Sequence, residues 1–402
     1  MKQILRKYVE FVRRPDVGRL LATALVARMP VGMVGFSMLM FLREGLGNFA
    51  LAGTAAGINF VSIAIAAPIQ GRLIDRIGPR KVLAITSVVQ PLALLAMLLA
   101  VRLHASFAVL ALCSAVAGAF ASPITTLTRT LWRFIFEREE DRRTAFALDA
   151  VTIELNFTVG PALVGLLLAV ASPTAAFATA IGAVVLAVAV FMASPALRYF
   201  RQEAGIDRHL LGPLTEPRLW LLYACTFGLA MALGFIEVGY PAYATALGMP
   251  AMAGALLAVN SIGSAIGGSL YGGLHFKTPV ERQFAAAMAL MVIPMFLQAV
   301  VGTLWPFAVI AFFAGGLIAP SIAAQSVLVS RLAPSRYATE AFTWSSTFIV
   351  SGIGAGIATG GAIVETLGVR YAFATGAAII AAIALLALAL SAPGRVSTAP
   401  AE

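Results

Sequence analysis

Four ionisable residues stand inside stretches of sequence that are otherwise apolar: Arg28, Asp149, Glu154 and Glu237. Charge at membrane depth is costly, so each is a functional hypothesis in itself. A carboxylate there can take a proton from one aqueous phase and release it to the other. Beside a guanidinium it forms an ion pair that a conformational change can break. Arg28 and Glu154 each lie about ten residues into an apolar stretch of the same direction, so they share a depth. They are expected as a proton-coupling pair or, on the same residues, as a buried structural ion pair. Glu154, Thr158, Pro161 and Gly165 fall on one helical stripe. Glu237, near Tyr240 and Tyr243, is a second candidate for proton coupling, or a carboxylate reaching water outside. Asp149 has Arg129 as its expected neutralising partner.

Uncharged polar and aromatic residues at similar depth are candidates for a substrate cavity: Asn59, Asn260, Gln325, Tyr240, Gln298 and Trp344. Each can instead hydrogen-bond a neighbouring helix. Gln325, Asn59 and Asn260 are expected in cavity or interdomain contact. No catalytic constellation is visible. His104, His209 and His275 fall in loops without metal-ligand spacing, and no phosphate-binding Gly-Lys-Ser/Thr loop occurs. Neither a cofactor nor a metal is expected, and energy must come from an ion or substrate gradient rather than from ATP. Cys113 and Cys225 lie in apolar stretches and read as packing residues.

The elements that hold these residues are membrane helices. The chain is 60% hydrophobic and 11% charged, where soluble proteins carry about 25% charged residues. Twelve apolar runs recur, near 18–41, 49–70, 82–101, 107–128, 145–169, 174–196, 219–242, 250–271, 283–302, 305–329, 339–361 and 369–391. Each is long enough to cross a bilayer core of about 30 Å as a helix. The net charge of +10 does not point to nucleic acid, because of where the cations fall. Of the 28 Lys and Arg, 24 lie in the termini and the loops of one face, against Arg43, Arg102 and Arg370 on the other and Arg28 within a span. That asymmetry sets the cationic face, and both termini with it, in the cytoplasm, where it also suits anionic lipid headgroups. No cleavable signal peptide is expected.

The chain also echoes itself. At an offset of 201, Asn59 meets Asn260, Gly71 meets Gly272 and Leu73 meets Leu274; at 197, Gly118 meets Gly315 and Pro123 meets Pro320; at 196, Ala145-Phe146 meets Ala341-Phe342. Two homologous six-helix halves follow: an all-α membrane protein with bundles over 1–196 and 218–392, a cytoplasmic linker over 197–217 and a disordered tail over 393–402.

Residues 71–81 carry a resemblance. Gly71, Leu73, Asp75, Arg76, Gly78, Arg80 and Lys81 fill the pattern G-x-L-x-D-R-x-G-x-R-[RK], which resembles the signature loop of the major facilitator superfamily. The resemblance implies twelve helices in two pseudo-symmetric bundles, a loop on the cytoplasmic side, and a substrate site near the midplane between the halves. It also implies that Asp75 meets the N-terminus of the eleventh helix when the protein is open outward, clamping the cytoplasmic side. The second copy of the loop has decayed, with Phe276 in the place of Asp75. Gly160, Pro161 and Gly165 partly match the G-P-x-x-G-G signature of antiporter branches, a stretch that packs between the halves and seals the outer side. The family's helix 4 arginine is missing, with Ser114 at its position.

The Ala-Leu-Asp-Ala phrase at 147–150, with Glu154 and Gly160-Pro161, resembles a bacterial branch of sugar-efflux or permease type. The resemblance therefore implies a monomeric carrier of the bacterial inner membrane that exchanges a small drug-like, amphiphilic or sugar-like molecule for protons. Uptake by proton symport is the alternative. A receptor or lipid-modifying enzyme is the rival from another class; it would need a soluble domain or an interfacial catalytic cluster. The topology is checked by labelling. Cysteines placed at Ser106 or Thr303 should react from outside the cell, and one at Thr215 should not. The opposite pattern would invert the orientation.

Overall fold

A computed structural model describes residues 11–136, 138–200, 212–274, 276–333 and 338–390. Much of the expected linker, the tail, His209 and His275 lie outside the described residues. The described chain holds twelve helical passes of membrane-spanning length and composition. The first pass is two helices, α1 (Pro15–Ala27) and α2 (Met29–Leu46); α3 (Phe49–Ile77) and α4 (Pro79–Arg102) are the second and third. The fourth is again broken, into α5 (Phe107–Ala119) and α6 (Ile124–Ile135), followed by α7 (Glu139–Val170) and α8 (Pro173–Met192). The other half has α9 (Pro217–Ala246), α10 (Met252–Gly273), α11 (Val280–Val300), a broken tenth pass of α12 (Leu304–Gly316) and α13 (Ile318–Leu332), then α14 (Ala338–Thr366) and α15 (Val369–Leu390).

Local chemistry accounts for the breaks and ends. Arg28 is the joint between α1 and α2; Pro30 follows it, and a proline without an N–H is suited to the first turn of a new helix. Asn48 caps α3, its Oδ1 accepting from the Leu51 N–H at 2.9 Å. In the signature loop, Gly78 adopts φ +85°, a left-handed value that fits glycine. The break between α5 and α6 frees backbone groups that lipid cannot satisfy. Gln70 of α3 donates to the Ala119 carbonyl at 2.7 Å, and Gln90 of α4 accepts from the Ser122 N–H at 3.3 Å.

The internal repeat has a physical counterpart. Asn59 Nδ2 donates to the Ser114 carbonyl and Asn260 Nδ2 to the Ala311 carbonyl, each at 3.0 Å. A Cβ built on Gly118 would run into the Asn59 carbonyl oxygen, and one on Gly315 into that of Asn260. Thus α3 crosses α5, and α10 crosses α12, by the same backbone contact. A second matched pair joins α2 to α7 through Gly32 and Gly160, and α9 to α14 through Gly234 and Gly356.

The two bundles meet along two seams, α3 with α14 and α7 with α10. At the first, a Cβ on Gly53 would sit 2.7 Å from the Ile357 carbonyl oxygen, and one on Gly361 2.5 Å from that of Phe49. The Phe49 N–H, at the start of α3, donates to Glu365 Oε2 at 2.8 Å. At the second, a Cβ on Gly165 would sit 2.9 Å from Gly254 Cα, and Ser261 Oγ donates to the Phe157 carbonyl at 3.0 Å. These close approaches lie toward the end of the bundle where α2 turns into α3 and α7 into α8, here called the hairpin end. At the opposite end a Cβ on Gly71 or on its repeat mate Gly272 would meet nothing within 4 Å.

Substitutions should separate these environments. Gly315→Ala places a methyl against the Asn260 backbone and should cost about 1–3 kcal/mol by overpacking. Gly182→Ala, where nothing lies within 4 Å, should be neutral or slightly stabilising. Thermal unfolding of the purified variants is the measurement.

Candidate functional site

The most deeply buried charges of the first half sit where α1 gives way to α2. The side chains of Arg28 and Asp149 are each 1% exposed, and their Nη1 and Oδ1 atoms are 2.8 Å apart. Three further groups close around the pair. Trp132 Nε1 donates to Asp149 Oδ1 at 3.1 Å, Arg28 Nη1 donates to Thr152 Oγ1 at 3.1 Å, and Arg129 Nε lies 3.6 Å from Asp149 Oδ2. Arg129 is half in solvent and so brings its charge from the rim. Arg28 Nε and Nη2 and Asn156 Oδ1 are buried without a hydrogen-bond partner in the protein. The cluster therefore retains unused donors and an acceptor beside a helix joint.

This arrangement corrects the expected partnership of Arg28 with Glu154. Both carboxylates are on α7, but five residues separate them, a rotation of about 140° and a rise of about 7.5 Å. Asp149 is on the face toward the first pass. Glu154 is on the stripe of Pro161 and Gly165, toward the other half. There it is half-buried, and no described side chain bonds its carboxylate. It lies one turn from Phe157, whose carbonyl takes the Ser261 bond at the edge of the seam. Asp149 and Arg129 are brought together as the sequence suggested.

The Gly-Pro stretch divides its roles. A Cβ on Gly254 of α10 would strike the Pro161 carbonyl oxygen and lie 2.7 Å from Gly165 Cα, so Pro161 and Gly165 do pack between the halves. Gly160 instead packs on Gly32 within its own half, because one residue turns it about 100° around the helix. In the signature loop, Gly71, Asp75 and Gly78 are partly buried, and Arg76 and Arg80 are exposed.

Most of the cavity candidates turn out to be internal braces. Asn59 is 5% exposed and Asn260 7%, each bonded inside its own half. Tyr240, fully buried on α9, accepts from Gln298 Nε2 at 3.1 Å and from Asn260 Nδ2 at 3.3 Å. Gln325 donates to Ser345 Oγ at 2.7 Å, tying α13 to α14. The expectation of cavity or interdomain contact is therefore corrected for Asn59, Asn260 and Gln325, and that of a cavity between the halves for Tyr240: a carbonyl, a hydroxyl or an amide within its own bundle engages each one. Gln298 is engaged through Nε2 alone, and its Oε1 has no partner in the protein. Trp344 remains partly exposed, its ring 6.2 Å from Phe348. Glu237 is half-buried on α9, one turn from Tyr240. Ser114, at the missing arginine's position, is buried with its hydroxyl unpartnered. Among the described residues no group of three or more His, Cys, Asp or Glu is placed to hold a metal.

Sequence reasoning missed Trp132, Thr152 and Glu365. A buried Trp 17 residues before its acidic partner, on a separate helix, looks like ordinary core, and Glu365 sits near a helix end where a carboxylate draws no notice. The Asp149 pair can be tested directly. Asp149→Asn leaves the Arg28 charge buried and uncompensated and should cost about 3–5 kcal/mol. The double change Arg28→Met with Asp149→Asn should recover most of that stability, as read by thermal unfolding.

No curated protein matches the sequence significantly. Among solved structures, a mutant of the nucleoside transporter NupG superposes with a TM-score of 0.78 at 13% identity, covering 93% of this chain and 99% of that one. A bacterial homologue of the iron transporter ferroportin, in an inward-facing state, gives 0.74 at 15% identity, covering 94% and 98%. At such identities the likeness establishes the fold. The Major Facilitator Superfamily profile matches residues 20–301, well over half of the sequence. The chain belongs to the major facilitator superfamily.

Proposed function

We propose that the protein is a proton-coupled secondary transporter that works by alternating access and exports a small amphiphilic or sugar-like molecule. The observation that carries the coupling is the position of Glu154. It is a half-buried carboxylate on the interhalf face of α7, one turn beyond the closed seam, with no described side chain bonded to it. A carboxylate at such a boundary changes its hydration whenever the halves rock, and hydration sets how strongly it holds a proton. Buried Asp149 is engaged by Arg28 and Trp132, so it serves here as the structural anchor of the first pass.

We infer a state open toward the end that carries the signature loop. The glycines at the hairpin end are packed tightly across the seams, while Gly71 and Gly272 face open space. In the alternate state the Asp75 carboxylate would approach the N-terminus of α14, where exposed N–H groups and the helix dipole favour an anion. The bond from the Phe49 N–H to Glu365 uses the same chemistry at the other end of the same two helices. Export is favoured over uptake by the Pro161–Gly165 contact with Gly254, the part of the antiporter-type motif that packs across the seam. A nucleoside and iron, the cargoes named for the two similar structures, differ too much for the shared fold to choose a substrate.

Proteoliposomes with an imposed pH gradient provide the test. Once a substrate is found by screening, Glu154→Gln should abolish gradient-driven transport and leave counterflow exchange largely intact. Undiminished accumulation by Glu154→Gln would remove Glu154 from the coupling role and move it to Glu237.

A further inference from the structure

Away from the seams, a cavity of about 160 Å³ opens at the hairpin end of the second half, where α9, α11 and α15 converge. A single water needs only about 10–15 Å³ measured in this way, so a small molecule fits. Its wall is mostly apolar, from Ala246, Val301 and Val369, but three polar side chains reach it: Tyr243, Gln298 and Arg370. Two of these are buried with polar atoms left over. Tyr243 is 6% exposed, its ring stacked on Phe307 at 3.9 Å, and its hydroxyl has no partner. Gln298 is 1% exposed; its Nε2 is committed to Tyr240, and its Oε1 has no partner. Arg370 is exposed and lies on the wall, with Nη2 3.8 Å from where a Gly302 Cβ would be. Unpaired buried polar atoms are rare in native proteins and call for a complement.

The three groups define that complement. A guanidinium and a phenol both donate, which suits an oxyanion. The Gln298 carbonyl oxygen accepts, which asks for a hydroxyl on the same ligand. We propose that this cavity binds a small oxyanion carrying a hydroxyl group, at a site distinct from the route between the halves. Two sources share that chemistry: a soluble hydroxy acid such as glycerate, and the headgroup of phosphatidylglycerol, whose phosphate and glycerol hydroxyls would lie level with a cavity at a membrane surface.

The experiment uses the full-length purified protein. Delipidated protein in neutral detergent is titrated with glycerate by calorimetry, with glyceramide as the uncharged control. In parallel, native mass spectrometry follows retention of phosphatidylglycerol against phosphatidylcholine. One saturable site is expected, taking one of the anionic probes and refusing both controls. Arg370→Gln should weaken it about tenfold or more, and Arg370→Lys should restore part of the loss. Tyr243→Phe removes only a hydroxyl that bonds nothing in the protein, so it should fold normally and still weaken binding. Saturable binding of glycerate assigns the site to a soluble ligand; selective retention of phosphatidylglycerol that glycerate does not displace assigns it to lipid. No saturable binding of either probe, or binding that either Arg370→Gln or Tyr243→Phe leaves unchanged, would overturn the proposal and leave a water-filled crevice.

Discussion

Helices in lipid are not driven together by the hydrophobic effect, because the solvent is as apolar as the side chains. What remains is close packing and hydrogen bonding, and both strengthen as backbones approach. The fold therefore rests on missing Cβ atoms. Gly118 on Asn59, Gly315 on Asn260, Gly160 on Gly32 and Gly356 on Gly234 fix the crossings within each bundle. Gly53, Gly57, Gly165 and Gly254 fix the seams between bundles. A backbone contact has little rotamer freedom to lose, so it holds one geometry sharply. The halves can then move as bodies, with internal crossings preserved while the seams exchange.

Charge is accommodated on the same scaffold in two ways. Arg28 and Asp149 are placed where a helix has already been interrupted, and Trp132, Thr152 and Arg129 surround them. Such a pair contributes little net stability relative to apolar packing, yet removing one partner is expensive. Its effect is to fix the first pass against α6 and α7. Glu154, one and a half turns further along α7, is held by no described side chain and faces the boundary between the halves. One helix thus carries an engaged acid toward its own half and an unengaged one toward the other.

Much of the fold was legible because it depends on quantities that run along the chain. Span lengths, the asymmetry of Lys and Arg, the basic signature loop at 71–81 and the offsets near 200 are all one-dimensional. The matched Asn59 and Asn260 bonds show that the echo recorded a shared helix crossing. The site was less legible because it depends on azimuth. Arg28 and Glu154 share a depth, but depth does not decide the pairing: the break at Arg28 and the 140° turn between Asp149 and Glu154 do. The polar cavity candidates failed for a related reason. A sequence does not say which carbonyls a close crossing or a helix break leaves within reach, and Asn59, Asn260 and Gln70 found those first.

The bond from the Phe49 N–H to Glu365 has a kinetic side. It spans the two halves, so it must break before they can part at that end. A hydrogen bond to a charged group is worth about 1.5–3 kcal/mol. If that free energy is lost on the way to the barrier, the residence time of this state lengthens by roughly one to two orders of magnitude. A carrier turns over no faster than its slowest reorientation, so the strength of this one contact places a ceiling on throughput. A tighter latch would make a more stable protein and a slower one.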